Sequence, residues 1–152
     1  MTLVPGGHDC YCGRQRCAEC YCSVNSLLGD SDNLEEFFEK KSAGDTGCIE
    51  RWEDYLRHLS ILINNLHMVL EHTIILGGHV APYFTDEDLS KIRHYVAERS
   101  TFDDNTSYII PGKCPGDTVA IGAARMAGLV GGTSCSGQGM RCLLYTSPSP
   151  RD

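Results

Sequence analysis

Five of the chain's nine cysteines fall within the thirteen residues CYCGRQRCAECYC, from Cys10 to Cys22. Thiolate sulfur is a soft donor, and Cys10, Cys12 and Cys17 follow the pattern CxC and then xxxxC. Three thiolates this close together reach one tetrahedral zinc ion at roughly 2.3 Å per bond if the backbone bends around it, and Gly13 supplies the bend. Zinc needs a fourth ligand, and the nearby candidates are His8, Cys20 and Cys22. A disulfide framework is the competing use for so many cysteines. The odd count argues against it. Residues 1–17 also lack the basic start and apolar core of a secretory signal, so the chain reads as cytoplasmic, where thiols stay reduced.

Two other places carry chemistry on weaker grounds. Glu19 follows the last cysteine of the pattern by two positions, where an acid at a helix start is already accounted for by the helix dipole. Gly77 and Gly78 follow an apolar run, and a bare backbone there allows close approach of a phosphate or of adenosine, although a Gly-Gly pair is also an ordinary turn.

The composition sets the frame for these residues. With 152 residues, 41% apolar and 22% charged, the chain suits one globular domain with a real core. Its longest apolar stretch, SILINNLHMVLEHTIIL, is interrupted by Asn64, Asn65, His67, Glu71 and His72, so it does not read as a membrane span. A net charge of -7 without clustered Lys and Arg excludes a nucleic-acid footprint in this stretch of chain.

The pattern predicts a short helix over Ala18 to Leu28, a turn at GDSDN, and a helix over Leu34 to Lys41 with acids early and lysines late. From Cys48 onward, Ile49, Trp52, Leu56, Leu59, Ile63, Leu66 and Leu70 recur at spacings of three or four, which predicts a long amphipathic helix. Its apolar stripe is widened by Tyr55, so core burial is expected rather than a coiled-coil seam. Thr73 to Leu76 reads as a buried strand ending at Gly77-Gly78. Thr85 and Asp88 form a capping box that opens a helix to about Arg99. A second strand is expected over Tyr108 to Ile110, then a turn, then a small-residue helix over Thr118 to Met126. This alternation predicts an α/β layout. From Gly128 the sequence loses all periodicity. Residues 142–152, CLLYTSPSPRD, resemble the translation of a sequencing-library adapter, so residues 129–152 are expected to be a non-native or disordered tail.

Taken together, C10-Y-C12-G13-R14-Q15-R16-C17-A18-E19 resembles the CxCGxxGCxE signature of the ROK family of sugar kinases and sugar-responsive repressors. ILGGHVA at 75–81 is similar to that family's strand and glycine turn, and GDTVAIGAARMA at 116–127 to its Ala/Gly-rich closing helix. The three motifs stand in the family's order over residues 1–128. The fold implied is the C-terminal part of an actin-like, ribonuclease H-like α/β ATPase domain. The resemblance implies that zinc bound by Cys10, Cys12 and Cys17 holds a loop positioning Glu19, whose carboxylate accepts hydrogen bonds from sugar hydroxyls. It places Gly77 and Gly78 in the site of ATP and its Mg.

The family's fourth zinc ligand is the His of a Glu-x-Gly-His motif shortly before the first cysteine. That position falls just before Met1, so the chain is expected to begin upstream and His8 to be an exposed loop residue. Cys20 and Cys22 have no counterpart in the signature and are expected to pack as small hydrophobes. Arg16 stands where the signature has Gly, and His79 where a third Gly is often found. The family's aspartate base belongs to an earlier Asn-Asp pair, so no catalytic residue is expected here and no kinase activity from this chain alone. For the whole protein the resemblance implies an ATP-dependent kinase for a hexose or amino sugar, or a repressor whose helix-turn-helix precedes this sugar-sensing domain. A zinc-stabilised dimerisation domain is a third class, against which Glu19 in the signature argues. The expected partners are a sugar and a second copy of the protein. DNA would be contacted only through the preceding domain of a repressor, and no membrane is expected.

Overall fold

The computed structural model of the chain describes residues 1–112, apart from 5, 8, 11, 14, 16, 30, 32 and 101–104. The expected closing helix over 118–126, the tail beyond 128, His8 and Arg16 lie outside the described residues.

The expected helix over Ala18 to Leu28 is in fact two, α1 (Glu19–Cys22) and α2 (Val24–Leu28). Ser23 separates them in extended conformation, and its hydroxyl accepts the Ser26 amide at 3.3 Å. A serine that bonds the backbone in this way competes with helix continuation and becomes the cap of the next turn. Helix α3 (Leu34–Ser42) starts where the Asn33 side chain accepts the Glu36 amide at 2.9 Å. Its Glu35 and Glu36 lie in the first turn and Lys40 and Lys41 in the last, the favourable arrangement for the dipole.

Helix α4 (Thr46–Leu70) begins two residues before Cys48, because Asp45 caps it by accepting the Cys48 amide at 2.8 Å. It buries Cys48, Trp52, Tyr55, Leu56, Leu59, Leu62 and Ile63, so the stripe faces the core as expected. The two ends of the apolar repeat do not follow, since Ile49 is 44% and Leu70 38% exposed. Glu71 closes the helix in left-handed conformation, φ 49°.

Strand β1 (Ile74–Leu76) pairs in parallel with β2 (Ile109–Pro111), Ile74 opposite Ile109 and Leu76 opposite Pro111. The second strand thus lies one residue later than Tyr108 to Ile110. Tyr108 still takes part in the pairing, because its carbonyl accepts the Ile74 amide at 2.8 Å. Between the strands runs α5 (Asp86–Arg99), the crossover that a parallel pair requires. It opens on the expected capping box, in which Thr85 and Asp88 bond each other's amides.

Helix α5 packs on α4, and residues of both join those of the small sheet in one core. Phe37 of α3 and Leu27 of α2 are fully buried in that core with Leu56, Ile63, Ile74, Ile92, Val96 and Ile109. Asp88 is buried in this seam and accepts the Trp52 indole N–H at 2.9 Å. Phe38 stacks on Tyr83 with ring centres 4.1 Å apart, tying α3 to the short 3-10 turn Ala81–Tyr83 that follows the glycines. Among the described residues no helix is long and apolar enough to cross a membrane.

Candidate functional site

The cysteine loop is a narrow hairpin laid against the start of the chain. Asp9 bridges Gln15 and Thr2 bridges Cys17, both antiparallel. The Gln15 side-chain amide donates to the Asp9 carboxylate at 2.7 Å, and the Ala18 amide donates to the Met1 carbonyl at 3.0 Å. The tip turns at Gly13, whose amide donates to the Cys10 carbonyl at 3.0 Å and whose φ of 77° strains any residue with a side chain.

This hairpin brings the sulfurs of Cys10, Cys12 and Cys17 within 4.8 Å of one another, with Cys12 and Cys17 3.6 Å apart. Bonds of roughly 2.3 Å in a tetrahedron place neighbouring sulfurs about 3.8 Å apart, so the cluster has the dimensions of a zinc centre. Cys10 is buried, Cys17 half-buried and Cys12 exposed. The Cys12 amide and the surrounding thiols lower the Cys10 pKa, favouring a thiolate there. Cys17, hydrogen-bonded to the Cys12 thiol, partly desolvated and facing Cys10, is pushed up to about 11. One thiolate therefore opposes the next, and a divalent cation removes that opposition. The donor set fits zinc, which when bound would supply charge neutralisation and a fixed loop.

The two cysteines outside the pattern differ from each other. Cys22 is in the hydrophobic core, where burial pushes it up to about 12 and leaves it an apolar filler. Cys20 is half-buried and packs against the edge of the core, as expected, while its thiol also reaches the loop, donating to the Asp9 carbonyl at 3.6 Å and meeting Cys10.

Glu19, the first residue of α1, is exposed and has two sides. One side faces a pocket of about 250 Å³ shared with Asp9, Cys10 and Cys20. The other faces a cleft of about 560 Å³, whose walls include Asn25, Glu35, His79 and Tyr83. Glu19, with Ser23 and Asn25, lines both, so the wall between the thiol loop and the residue after the glycine pair carries one carboxylate. Gly77 and Gly78 do not themselves line the cleft. They form the turn that presents His79 to it, with Gly78 at φ 88° and its carbonyl accepting the Ala81 amide at 3.2 Å. Gly112 ends β2 beside them, donating to the Leu76 carbonyl at 2.8 Å, and a Cβ added there would meet that oxygen at 2.8 Å. The carboxyl ends of both parallel strands are therefore bare backbone, at the edge where open α/β sheets bind ligands. Asn25 and Tyr83 were not singled out from the sequence, because no local pattern reveals which side chains converge across a cleft.

A thiol loop beside an acid, near glycine turns at the carboxyl ends of parallel strands, describes a class: an α/β domain with a candidate metal site. A family model described as the ROK family matches residues 1–128, and the chain belongs to that family. The fold is similar to that in the crystal structure of a ROK hexokinase from Thermus thermophilus, with a TM-score of 0.57 and 24% identity. The match covers 64% of this chain and 36% of the hexokinase, so the chain spans little more than a third of that protein. It is the actin-like α/β fold that the motifs implied. None of the curated proteins matches the chain.

Proposed function

We propose that this chain is the sugar-contacting portion of an ATP-dependent kinase for a hexose or amino sugar. The observation that carries the reading is the position of Glu19, held between the thiol loop and the cleft that His79 closes from the glycine turn. A carboxylate accepts only, and neighbouring sugar hydroxyls both donate, so Glu19 fits paired hydroxyls. Zinc at Cys10, Cys12 and Cys17 would fix the hairpin and hence the angle at which α1 presents Glu19. The Gly77-Gly78 turn offers backbone to the nucleotide. ATP with Mg supplies the phosphoryl group, whose transfer depends on positioning and charge stabilisation. The sequence holds no Asn-Asp pair of the kind that carries the family's aspartate base, so the share of the work proposed for this chain is to bind and orient the sugar.

Calorimetric titration of the zinc-loaded chain with glucose and with N-acetylated amino sugars tests the reading. Saturable binding of one of them is expected, weakened at least tenfold in Glu19→Gln with the far-UV circular dichroism unchanged, and no sugar-dependent ATP hydrolysis is expected from the chain alone. Equal affinity in Glu19→Gln refutes the assignment. If whole-length protein binds sugar without consuming ATP, and carries a helix-turn-helix, the repressor reading replaces the kinase.

A further inference from the structure

Among the described residues Tyr83 is the one Phe, Tyr or Trp side chain that lines the cleft into which Glu19 faces. It ends the 3-10 turn Ala81–Tyr83, where its amide donates to the carbonyl of the buried Val80 at 3.0 Å. Its ring lies flat on Phe38, with centres 4.1 Å apart and 4° between the planes. Phe38 in turn meets Trp52 edge-on at 5.0 Å, and the Asp88 carboxylate holds the Trp52 indole at 2.9 Å. The tyrosine is thus backed by a stack anchored in the core, and a ring fixed in advance spares a ligand the cost of ordering it. Phe38 does not line the cleft, so the cleft meets the part of Tyr83 that Phe38 leaves uncovered.

Glu19 of α1, Asn25 of α2 and Glu35 of α3 are polar walls of the same cleft, and Leu28 and Leu34 add apolar surface. Its volume of about 560 Å³ lies in the range of small-molecule sites. Among the described residues no Lys or Arg lines it, so two carboxylates face a ligand without a counter-charge, and a triphosphate is repelled. The ligand that fits carries hydroxyls at its edge, no negative charge, and an apolar face. A pyranose has that form, because its hydroxyls project around the rim while axial C–H bonds cover the faces of the ring. Polarised C–H groups are attracted to the negative face of an aromatic ring.

We propose that Tyr83 is the platform on which the sugar lies, with the C–H face of the pyranose on the tyrosine ring and rim hydroxyls toward Glu19 and Glu35. This rests on the sugar reading of Glu19 and deepens it. The carboxylates fix the hydroxyls, and the tyrosine fixes the plane of the ring. The cleft then selects pyranoses that present an unbroken C–H face, as glucose does.

Saturation-transfer NMR of the zinc-loaded full chain with glucose and with N-acetylglucosamine is the test. Irradiation of the protein's aromatic protons is expected to saturate the ring C–H protons of the bound sugar. The transfer is expected to collapse when the chain is made with ring-deuterated tyrosine, a change that leaves the fold untouched and needs no variant. In calorimetry Tyr83→Leu, which keeps apolar bulk without an aromatic face, is expected to weaken sugar binding about tenfold, whereas Tyr83→Phe keeps the parent affinity. A bound sugar whose saturation persists undiminished against deuterated tyrosine, or that binds Tyr83→Leu as tightly as the parent, overturns the platform and leaves the Glu19→Gln comparison to decide the sugar reading by itself. Saturation of the adenine protons of ATP in place of those of the sugar gives the ring to the nucleotide and overturns the proposal as well. If neither sugar binds, the sugar reading and the platform fall together.

Discussion

Asp88 does three things with one carboxylate. It accepts the Thr85 amide at 2.9 Å and the Thr85 hydroxyl at 2.8 Å, closing the capping box, and the Trp52 indole N–H at 2.9 Å, which ties α5 to α4. Burial pushes its pKa up, but the Thr85 amide, the Trp52 indole and the Thr85 hydroxyl outweigh this and hold the carboxyl below its ordinary value. A group whose folded pKa is lowered stabilises the fold above its unfolded value, near 3.9, and loses that contribution as pH falls through the folded one. Asp88→Ala leaves the buried Trp52 indole N–H unpaired and opens the Thr85 capping box, and is expected to cost ~2–4 kcal/mol in urea unfolding at pH 7, with the gap between variant and parent closing below about pH 4. A constant gap down to pH 2 contradicts this account. The capping box was legible from Thr85 and Asp88 because it is local. The indole contact spans 36 residues and was not, just as the cysteine pattern named three thiols while the direction of the Cys20 side chain waited for the structure.

At the scale of elements, α4 is the beam on which the other pieces rest. Its periodicity announced a buried face but not where the neighbours stop, and so Ile49 is exposed although it keeps the apolar spacing. Ser23 likewise broke one expected helix into two, since a serine's choice between continuing a helix and capping the next depends on the packing of Tyr21 and Leu27 on either side. Ile63 has no exposed surface and sits in the core cluster. Ile63→Ala is expected to destabilise the chain by ~2–5 kcal/mol, whereas Ile49→Ala stays within ~0.5 kcal/mol. Denaturant midpoints compare the pair directly, and similar losses at both positions would show that the Ile49 face is covered in solution.

Across the whole molecule, the apolar core and the thiol loop are held by different forces. The core joins α4, α5 and the two strands through enclosed aliphatic and aromatic side chains. The loop is a hairpin closed by isolated bridges and a few hydrogen bonds, and its bend at Gly13 has open space around it. Such a molecule opens in parts, its loop with little free energy and its core only near global unfolding. The amides of Gly13 and Ala18, bonded to the Cys10 and Met1 carbonyls, are therefore expected to exchange with deuterium far faster than those of α4 around Leu56 and Ile63. A metal that binds only the closed loop, present at about 100 times its dissociation constant, adds about 2.7 kcal/mol to that state and slows loop exchange about a hundredfold. The core amides are held by packing that already outlasts loop opening, so at metal-free rates their exchange by local fluctuation is unchanged. Selective slowing at Gly13 and Ala18, abolished by Cys12→Ser, is the expected result. Slowing spread evenly over the chain would mean that loop and core fold as one unit, and that zinc stabilises the whole molecule and not merely the setting of Glu19.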